Sequence, residues 1–224
     1  MDSTLNQQTY DRLKKDIMTF ALKPGDPVSA AKLAERYEVS RTPAREALVK
    51  LQTEGLIDIF PQSKSVISKV NVQRVRQEWY IRKTLELGMV DTFFKNVTAK
   101  DIEAMKKNAK RLVEVTKQPR THETSYEYMC ADYDFHAVSY YAAGEYLAAE
   151  VIKNTATHYD RFRLLVDLDN VYRTRTVSDH DRLIELVEKR DKEGYAKALE
   201  EHLCHIITDI DDVGTKYPDI FEVE

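Results

Sequence analysis

The helix start at Ser40 constrains the fold more than any other feature of the sequence. The segment reads Ser40-Arg41-Thr42-Pro43-Ala44-Arg45-Glu46-Ala47-Leu48. Ser40 can accept hydrogen bonds from the free amides of a helix N-terminus, and Pro43 falls in the first turn, where a missing N–H costs nothing. Apolar residues then recur at helical spacing: Ala44, Ala47, Leu48 and Leu51. The segment therefore predicts a helix with one buried face.

The polar residues near the tip of this helix carry its chemistry. Arg41, Thr42 and Arg45 lie outside the apolar face. A guanidinium offers planar paired donors that match guanine edges and phosphate oxygens, so two of them at a helix tip fit a DNA-reading helix. An ordinary amphipathic helix with solvated arginines fits these nine residues equally well, and the neighbouring elements have to decide.

The neighbouring elements complete a winged helix-turn-helix pattern. A first helix around residues 10–21 ends at Pro24-Gly25, and a second around residues 29–37 leads through two residues to Ser40. Two helices joined by a tight turn form a helix-turn-helix. After Gly55, two β-branched runs on either side of residues 61–64 predict a β-hairpin, which in this position is a wing.

These segments resemble the N-terminal domain of the GntR family of bacterial transcription regulators over about 60 residues. The resemblance rests on Leu22-Lys23-Pro24-Gly25-Asp26, Leu33-Ala34-Glu35, Val39-Ser40-Arg41-Thr42-Pro43, Arg45-Glu46-Ala47-Leu48 and Gly55-Leu56. It implies that Arg41, Thr42, Arg45 and the wing residue Lys64 contact double-stranded DNA. Family members usually carry glycine at the wing tip, where this chain has Gln62-Ser63-Lys64-Ser65.

Charge adds one further candidate for DNA contact. Residues 1–70 hold 11 Lys and Arg against 9 Asp and Glu, whereas residues 71–224 hold 23 against 29. The net charge of −4 therefore hides a slightly basic first segment, which is the only candidate for a polyanion surface. Lys32, at the start of the second helix, is a phosphate contact on charge and position.

Length and composition favour a mainly α-helical protein of two domains. The chain has 224 residues, 42% of them apolar and 32% charged, with 6 Gly and 6 Pro. We expect a DNA-binding domain over 1–70 and an effector-binding and dimerisation domain over 71–224. No run approaches the roughly 20 apolar residues of a membrane helix, and the N-terminus lacks the apolar core of a signal peptide, so a cytosolic protein without a membrane partner is expected.

The second domain is predicted as an all-α bundle of six helices, or seven. The six segments are 72–95, 99–117, 126–141, 145–167, 176–189 and 193–212. Thr98 is the expected N-cap of the second, and Gly144 the expected break before the fourth. The tail 216–224 carries no periodic pattern and is expected to be weakly ordered.

Four residues in this bundle have the types and spacing of a metal site. Asp132 and His136 lie four apart on one helix face, while His180 and His202 lie on two further helices that can pack antiparallel beside it. One carboxylate and three imidazoles suit a divalent ion of the Zn²⁺, Ni²⁺ or Mn²⁺ class with positions left open. The alternative is that an i, i+4 Asp/His pair forms an ordinary surface hydrogen bond.

The same residues resemble the FCD effector domain of the FadR-type branch of the GntR family. The matching segments are Asp132-x-x-Phe135-His136, Asp179-His180-Asp181-x-Leu183-x-x-Leu186 and Ala198-x-x-x-His202-Leu203. The resemblance implies that Asp132, His136, His180 and His202 bind a metal in the middle of the bundle. Arg82-x-x-x-Glu86 resembles the segment whose arginine helps to hold an acidic effector.

The sequence therefore predicts a metabolite-responsive transcription regulator that acts as a homodimer. We expect it to be a repressor. Its second domain is expected to bind a divalent metal and a small carboxylate, with Arg82 pairing the charge of that carboxylate, and so to alter affinity for an operator. Two alternatives remain open at this point. One is a metal-dependent enzyme whose histidine cluster activates water; the other is a regulator for which the metal itself is the signal.

Overall fold

A computed structural model gives the architecture of residues 4–60, 64–168, 173–208 and 210–222. These described residues hold twelve helices and five short strands, so the mainly α-helical prediction is confirmed. The N-terminal elements are α1 Leu5–Met18, β1 Pro27–Val28, α2 Ala30–Tyr37, α3 Arg41–Thr53, β2 Ile57–Ile59 and β3 Ser65–Ile67. The elements that follow are β4 Val70–Asn71, α4 Val72–Gly88, α5 Val90–Asn96, α6 Ala99–Thr116, α7 His122–Ala143, α8 Tyr146–Thr155, α9 Thr157–Leu168, α10 Arg173–Glu188, α11 Lys192–His205, α12 Ile210–Lys216 and β5 Phe221–Glu222.

The N-terminal part is a winged helix-turn-helix, as predicted. Strands β2 and β3 form the expected antiparallel hairpin, with Ile57 opposite Ile67 and Ile59 opposite Ser65. Strand β1, which the sequence did not indicate, pairs antiparallel with the other side of β3 and makes a three-stranded sheet in the order β1-β3-β2. Of the wing tip, Gln62 and Ser63 lie outside the described residues.

Helix α3 has the buried face that its apolar spacing predicted. Pro43, Ala44, Ala47, Leu48 and Leu51 are all buried. The proposed capping role of Ser40 is wrong in one respect: its backbone has the extended N-cap conformation, but no capping hydrogen bond from its side chain is found in the described part of the chain. The first amides of α3 are therefore left for another acceptor, and a phosphate is a suitable one.

The C-terminal part contains nine helices in its described residues, so the prediction of six or seven was too low. Three predicted helices are each divided in two. The first divides at Gly88-Met89, the fourth at Ala156 and the sixth between His205 and Ile210. Glycine is a weak helix former, which explains the first division. The predicted N-cap at Thr98 and the break at Gly144 are confirmed, since the Thr98 amide donates to Asp101 and Gly144 adopts a left-handed conformation.

The break at Ala156 comes from a distant carboxylate rather than from local sequence. Glu78 of α4 is buried and accepts hydrogen bonds from the backbone amides of His158 and Tyr159, both at 2.8 Å. These are the free amides of the first turn of α9, where a negative charge also suits the helix dipole. A new helix therefore starts here, although no glycine or proline marks the place.

Residues 217–222 lie in the tail that the sequence predicted to be weakly ordered, and they include a strand. Strand β5 pairs in parallel with β4, with Val70 opposite Phe221 and Asn71 opposite Glu222. The Phe221 side chain is buried and packs against the ring of Phe162. Burial of one aromatic side chain is enough to hold a short strand that has no pattern of its own.

Two apolar cores run through the structure, and helix α9 belongs to the core that begins in the winged helix. One core lies in the helical bundle around α6, α7, α10 and α11. The other begins in the winged helix and continues through Tyr159, Phe162 and Leu165 of α9. The predicted division between residues 70 and 71 stays a prediction, since this second core extends across it.

Polar contacts between α9 and the winged helix surround His158. Its Nδ1 atom accepts a hydrogen bond from the amide of Asn71 at 3.1 Å, and Thr157 donates to the Glu54 carbonyl at 2.9 Å. Gly55, which ends α3 with a φ of 76°, faces the histidine ring so closely that a Cβ there would lie 3.3 Å from Nε2. Glycine is thus required at this position for two reasons, its backbone conformation and its contact.

We predict that His158 makes the protein less stable in mild acid. Burial, with help from Arg161 and Arg74, lowers the pKa of His158 to about 3, below the usual value of 6.5. Between these two pH values the unfolded chain binds a proton that the folded chain excludes, so the free energy of unfolding falls as the pH falls. The loss at pH 5 is about 2 kcal/mol.

Urea unfolding at pH 7.5 and pH 5 measures this loss. The variant His158→Asn keeps an acceptor near the position of Nδ1 and cannot titrate. It is expected to lose about 2 kcal/mol less than the natural chain between the two pH values. Equal losses for the two proteins would show that His158 is not the responsible group.

Candidate metal centre and DNA-binding surface

The four predicted metal ligands meet inside the helical bundle. Asp132 and His136 lie on α7, His180 on α10 and His202 on α11. One side-chain atom from each lies within 4.8 Å of the others, and three of the four residues are buried. The surface hydrogen bond considered for Asp132 and His136 is therefore excluded. Ligand atoms held 2.0–2.1 Å from a tetrahedral ion are about 3.3 Å apart. The His136–His202 and Asp132–His180 pairs are close to this value, at 3.2 and 3.3 Å.

Carboxylates orient two of the histidine rings. The Nδ1 atom of His136 lies 2.7 Å from Glu86 Oε2, and Nδ1 of His202 lies 3.2 Å from Asp179 Oδ2. Because an ionised carboxylate only accepts hydrogen bonds, each Nδ1 carries the proton and each Nε2 keeps its lone pair. Carboxylate contacts of this kind fix the tautomer and raise the basicity of a metal-binding histidine.

Four ligand atoms meet at the centre of the cluster, and two of them lack hydrogen-bond partners among the described residues. The Nε2 atoms of His136 and His202 face each other at 3.2 Å with both lone pairs directed inward. Asp132 Oδ1 and His180 Nε2 lie 3.3 Å apart, and neither has a hydrogen-bond partner among the described residues. Leaving such groups buried and unpaired is costly, and a bound cation would satisfy all four. The donor set thus fits a divalent metal.

Electrostatics keeps the cluster deprotonated, as metal binding requires. Burial lowers the pKa of His180 to about 3 and also lowers the pKa of His202. Burial alone would raise the pKa of Asp132, but Arg163 and the other nearby cations hold it well below its usual range. Asp132 as a carboxylate and His180 and His202 as neutral imidazoles are the forms that bind metals.

Two arginines hold the second oxygen of Asp132. Arg163 of α9 forms a close ion pair with Oδ2, and Arg82 of α4 lies 3.3 Å from the same atom. Arg82 also donates to Glu86 at 2.7 Å. Arg163 Nη1 has no hydrogen-bond partner in the described residues and lies 3.8 Å from Asp160. Each arginine is thus paired with two acidic residues, but Arg163 Nη1 keeps a donor without a hydrogen-bond acceptor.

A small cavity lies directly against this cluster. Its volume is about 50 Å³, room for a few water molecules. Arg82, Arg163, Asp132 and His202 form one side of it, and the hydroxyl-bearing residues Ser125, Tyr128 and Thr176 contribute to the rest. A cavity with cations and hydroxyl groups next to a metal-type cluster suits a small oxyanion such as a carboxylate.

The predicted DNA contacts are all on the surface of the winged helix. Arg41, Thr42 and Arg45 on α3, Lys32 on α2 and Lys64 on the wing are all exposed. None of the four cations forms an ion pair within the described residues, although neighbouring Arg36 pairs with Asp16. Cations without acidic partners keep their full charge for a phosphate or a base edge.

Sequence reasoning missed Arg163, and it gave no role to Glu86 and Asp179. Glu86 and Asp179 both stand in the segments that were singled out, four residues after Arg82 and one before His180. An acidic residue at helical spacing from a ligand or its neighbour is the signal that could have identified them. Arg163 had no such signal, because the start of α9 is set by Glu78 and only the folded chain shows which residues of α9 reach Asp132.

A winged helix-turn-helix followed by a helical bundle that buries an Asp/His cluster is the architecture of a DNA-binding regulator. Residues 5–67 match the family described as "Bacterial regulatory proteins, gntR family", and residues 79–205 match the FCD domain. The chain belongs to the GntR family of transcription regulators and carries an FCD domain. Regulators of this family bind DNA operators and take small-molecule effectors through the FCD domain. The enzyme alternative is not supported, since the matching proteins are regulators.

Individual relatives agree with this assignment. The HTH-type transcriptional repressor RspR of Escherichia coli (strain K12) is 28% identical over 223 residues, covering 98% of this chain and 95% of that protein. The gluconate operon transcriptional repressor of Bacillus subtilis (strain 168) is 25% identical, covering 93% and 83%. The solved structure of E. coli McbR/YncC superposes with a TM-score of 0.76 at 21% identity, covering 96% of this chain and all of that one. Over the described residues, no helix is long and apolar enough to cross a membrane.

We predict that Asp179→Asn weakens metal binding about 10–100-fold, the usual cost of losing a carboxylate that orients a ligating histidine. The amide keeps the shape of the side chain but removes the charge that holds the His202 tautomer. Competition with a chromophoric chelator for Zn²⁺ measures the affinity.

The matched control for this prediction is Asp181→Asn, which changes an exposed carboxylate two residues further along the same helix. The control is expected to bind Zn²⁺ as the natural chain does. Equal Zn²⁺ affinities for Asp179→Asn and Asp181→Asn would contradict the role given to Asp179.

Proposed function

We propose that this regulator is a repressor whose helical domain binds a divalent metal and a small carboxylate, and that their binding alters affinity for its operator. One observation carries the proposal. The unpartnered Asp132 Oδ1 and His180 Nε2 face the lone pairs of His136 and His202 beside a cavity lined by Arg82 and Arg163. The sense of regulation is taken from RspR, which is named a repressor.

Within this proposal each group of the site has a defined task. Asp132, His136, His180 and His202 hold the ion, which supplies open coordination positions for carboxylate oxygens. Glu86 and Asp179 keep the rings of His136 and His202 in the metal-binding tautomer. Arg163 Nη1 donates to the ligand carboxylate, and Arg82 adds positive charge from the wall of the cavity.

The DNA-binding end uses helix α3. Arg41 and Arg45 reach guanine edges or phosphates in the major groove, and the Thr42 side chain contacts the DNA at the same helix tip. Lys32 and Lys64 bind phosphates on either side of the recognition helix and position it. The uncapped amides of α3 offer one more phosphate contact.

A homodimer would place two such helices on one operator. We propose that its interface is a tyrosine-rich face formed by Tyr80, Ile81, Tyr141, Tyr146 and Leu147, which are between 37% and 72% exposed. The first two residues lie on α4 and the last two on α8, which pack against each other. Exposed apolar side chains on neighbouring helices mark a protein contact, and two-fold operators are read by two-fold proteins.

We predict that Arg41→Ala and Arg45→Ala each weaken binding to the DNA upstream of the protein's own gene. A contact to a base edge contributes about 1–3 kcal/mol, so each change is expected to lower affinity about tenfold to a hundredfold. Electrophoretic mobility shift at fixed salt measures it. Arg182→Ala, which removes an exposed arginine of α10, is the matched control. Unaltered binding by the Arg41→Ala, Arg45→Ala double variant would exclude this helix as the reading element.

The same assay tests the ligand response and separates the two kinds of signal. Metal and small carboxylic acids are titrated separately and then together against the natural chain. A response to metal that small carboxylic acids then change supports the proposal, whereas a response to metal that no acid changes indicates a metal-sensing regulator. No response to either would exclude a ligand-responsive function for the site.

We predict that Ile81→Glu with Leu147→Glu converts the dimer to a monomer, because two charges cannot be buried at an apolar interface without partners. Sedimentation velocity distinguishes the dimer from the 26.0 kDa chain. The control is Leu5→Glu, which charges an exposed leucine on α1. Identical sedimentation of the double variant and the control would place the interface elsewhere.

A further inference from the structure

The linker between the winged helix and the helical bundle is held from two sides. Residues 68–71 run between the N-terminal half of α9 and the C-terminal strand β5. The function proposed above assigns no task to these contacts. They involve buried polar groups, which proteins rarely keep without a use.

On the α9 side, hydrogen bonds from Arg161 hold the linker. This side chain is fully buried and has no carboxylate within ion-pair distance in the described residues. It donates to the Ser68 carbonyl at 2.7 Å, to the Ser68 hydroxyl at 3.1 Å and to the Lys69 carbonyl at 3.4 Å. One turn earlier on α9, His158 Nδ1 accepts a hydrogen bond from the backbone amide of Asn71. A guanidinium without a counterion is therefore stabilised by the linker backbone.

On the other side the linker is held by the end of the chain. The Val70 amide donates to the Ile220 carbonyl at 2.9 Å, and the Asn71 side chain donates to Glu222 at 3.3 Å. Phe221 anchors this strand by packing on Phe162 of α9. Both sets of linker contacts therefore depend on the same helix, since α9 carries both Arg161 and Phe162.

The same helix forms part of the ligand site. Tyr159 and Arg163 line the cavity, and Arg163 binds the Asp132 carboxylate. Each of them is within two residues of Arg161 along α9. Because these residues share one short stretch of helix, a ligand that displaces this stretch of α9 also displaces Arg161.

We propose that Arg161, His158, Ser68 and Phe221 form a linker clamp that couples the ligand site to the position of the winged helix. Arg161 and Phe221 act as positioning residues and touch neither ligand nor DNA. The fixed fork of the guanidinium matches one arrangement of the linker carbonyls, so a displaced α9 releases the linker instead of stretching it. The proposal rests on the function proposed above, because it needs a site that responds to a ligand.

The test compares full-length Arg161→Met and Phe221→Ala with the natural chain, using Zn²⁺ alone as the probe. For each protein, Zn²⁺ affinity is measured by chelator competition and operator Kd is measured with Zn²⁺ and with a chelator. The natural chain is expected to change its operator Kd about 5–150-fold, the usual range of allosteric coupling. Both variants are expected to bind Zn²⁺ within about threefold of the natural affinity while their operator Kd changes less than about twofold. Arg182→Met, on the exposed face of α10, is expected to respond like the natural chain.

The two ways of failing are distinguishable. If Zn²⁺ changes the operator Kd of both Arg161→Met and Phe221→Ala as much as that of the natural chain, the clamp is overturned and the proposed function is left intact. Absence of Zn²⁺ binding or of any response in the natural chain overturns the proposed function and the clamp with it. Hydrogen exchange tests the clamp in the natural chain, without depending on the folding of a variant. The amides of Val70 and Asn71 are expected to change their exchange rates when Zn²⁺ binds. Unchanged rates at both amides would overturn the clamp.

Discussion

The carboxylate of Asp132 is the group on which the candidate metal site depends. Its two oxygens have different surroundings: Oδ2 is held by Arg82 and Arg163, whereas Oδ1 faces the histidines without a hydrogen-bond partner among the described residues. The arginines keep the group ionised despite its burial, and they bring α4 and α9 onto α7. A single side chain therefore fixes three helices and leaves one oxygen for a cation.

Helix α9 connects this carboxylate to the rest of the molecule. Its first amides are capped by Glu78, its apolar residues continue the core of the winged helix, and Arg163 reaches Asp132. Arg161, on the same helix, holds the linker backbone. The helix that continues the core of the winged helix is therefore the same helix that carries Arg163 to Asp132 in the bundle.

The sequence predicted those features whose causes are local. Pro43 marked the start of α3, Thr98 and Gly144 marked helix ends, and the i, i+4 spacing placed Asp132 beside His136. The remaining features have causes that lie far away along the chain. Glu78 divides α8 from α9 across about 80 residues, and β5 is ordered only because it meets β4 and Phe162. No window of sequence contains both partners, so no local pattern could have indicated them.

The same distinction explains which parts of the candidate site were predictable. Metal-type ligands have few alternatives, so Asp and His at helical spacing are informative by themselves. Arginine is common on protein surfaces, so Arg163 is not informative in the sequence. Only its burial beside Asp132 distinguishes it from a surface arginine. Burying Glu86, Arg82, Asp132 and Arg163 together costs solvation energy that apolar residues of similar size would not. A charged cluster kept at that cost, with one oxygen and one guanidinium nitrogen unpaired, is better explained by a ligand than by stability.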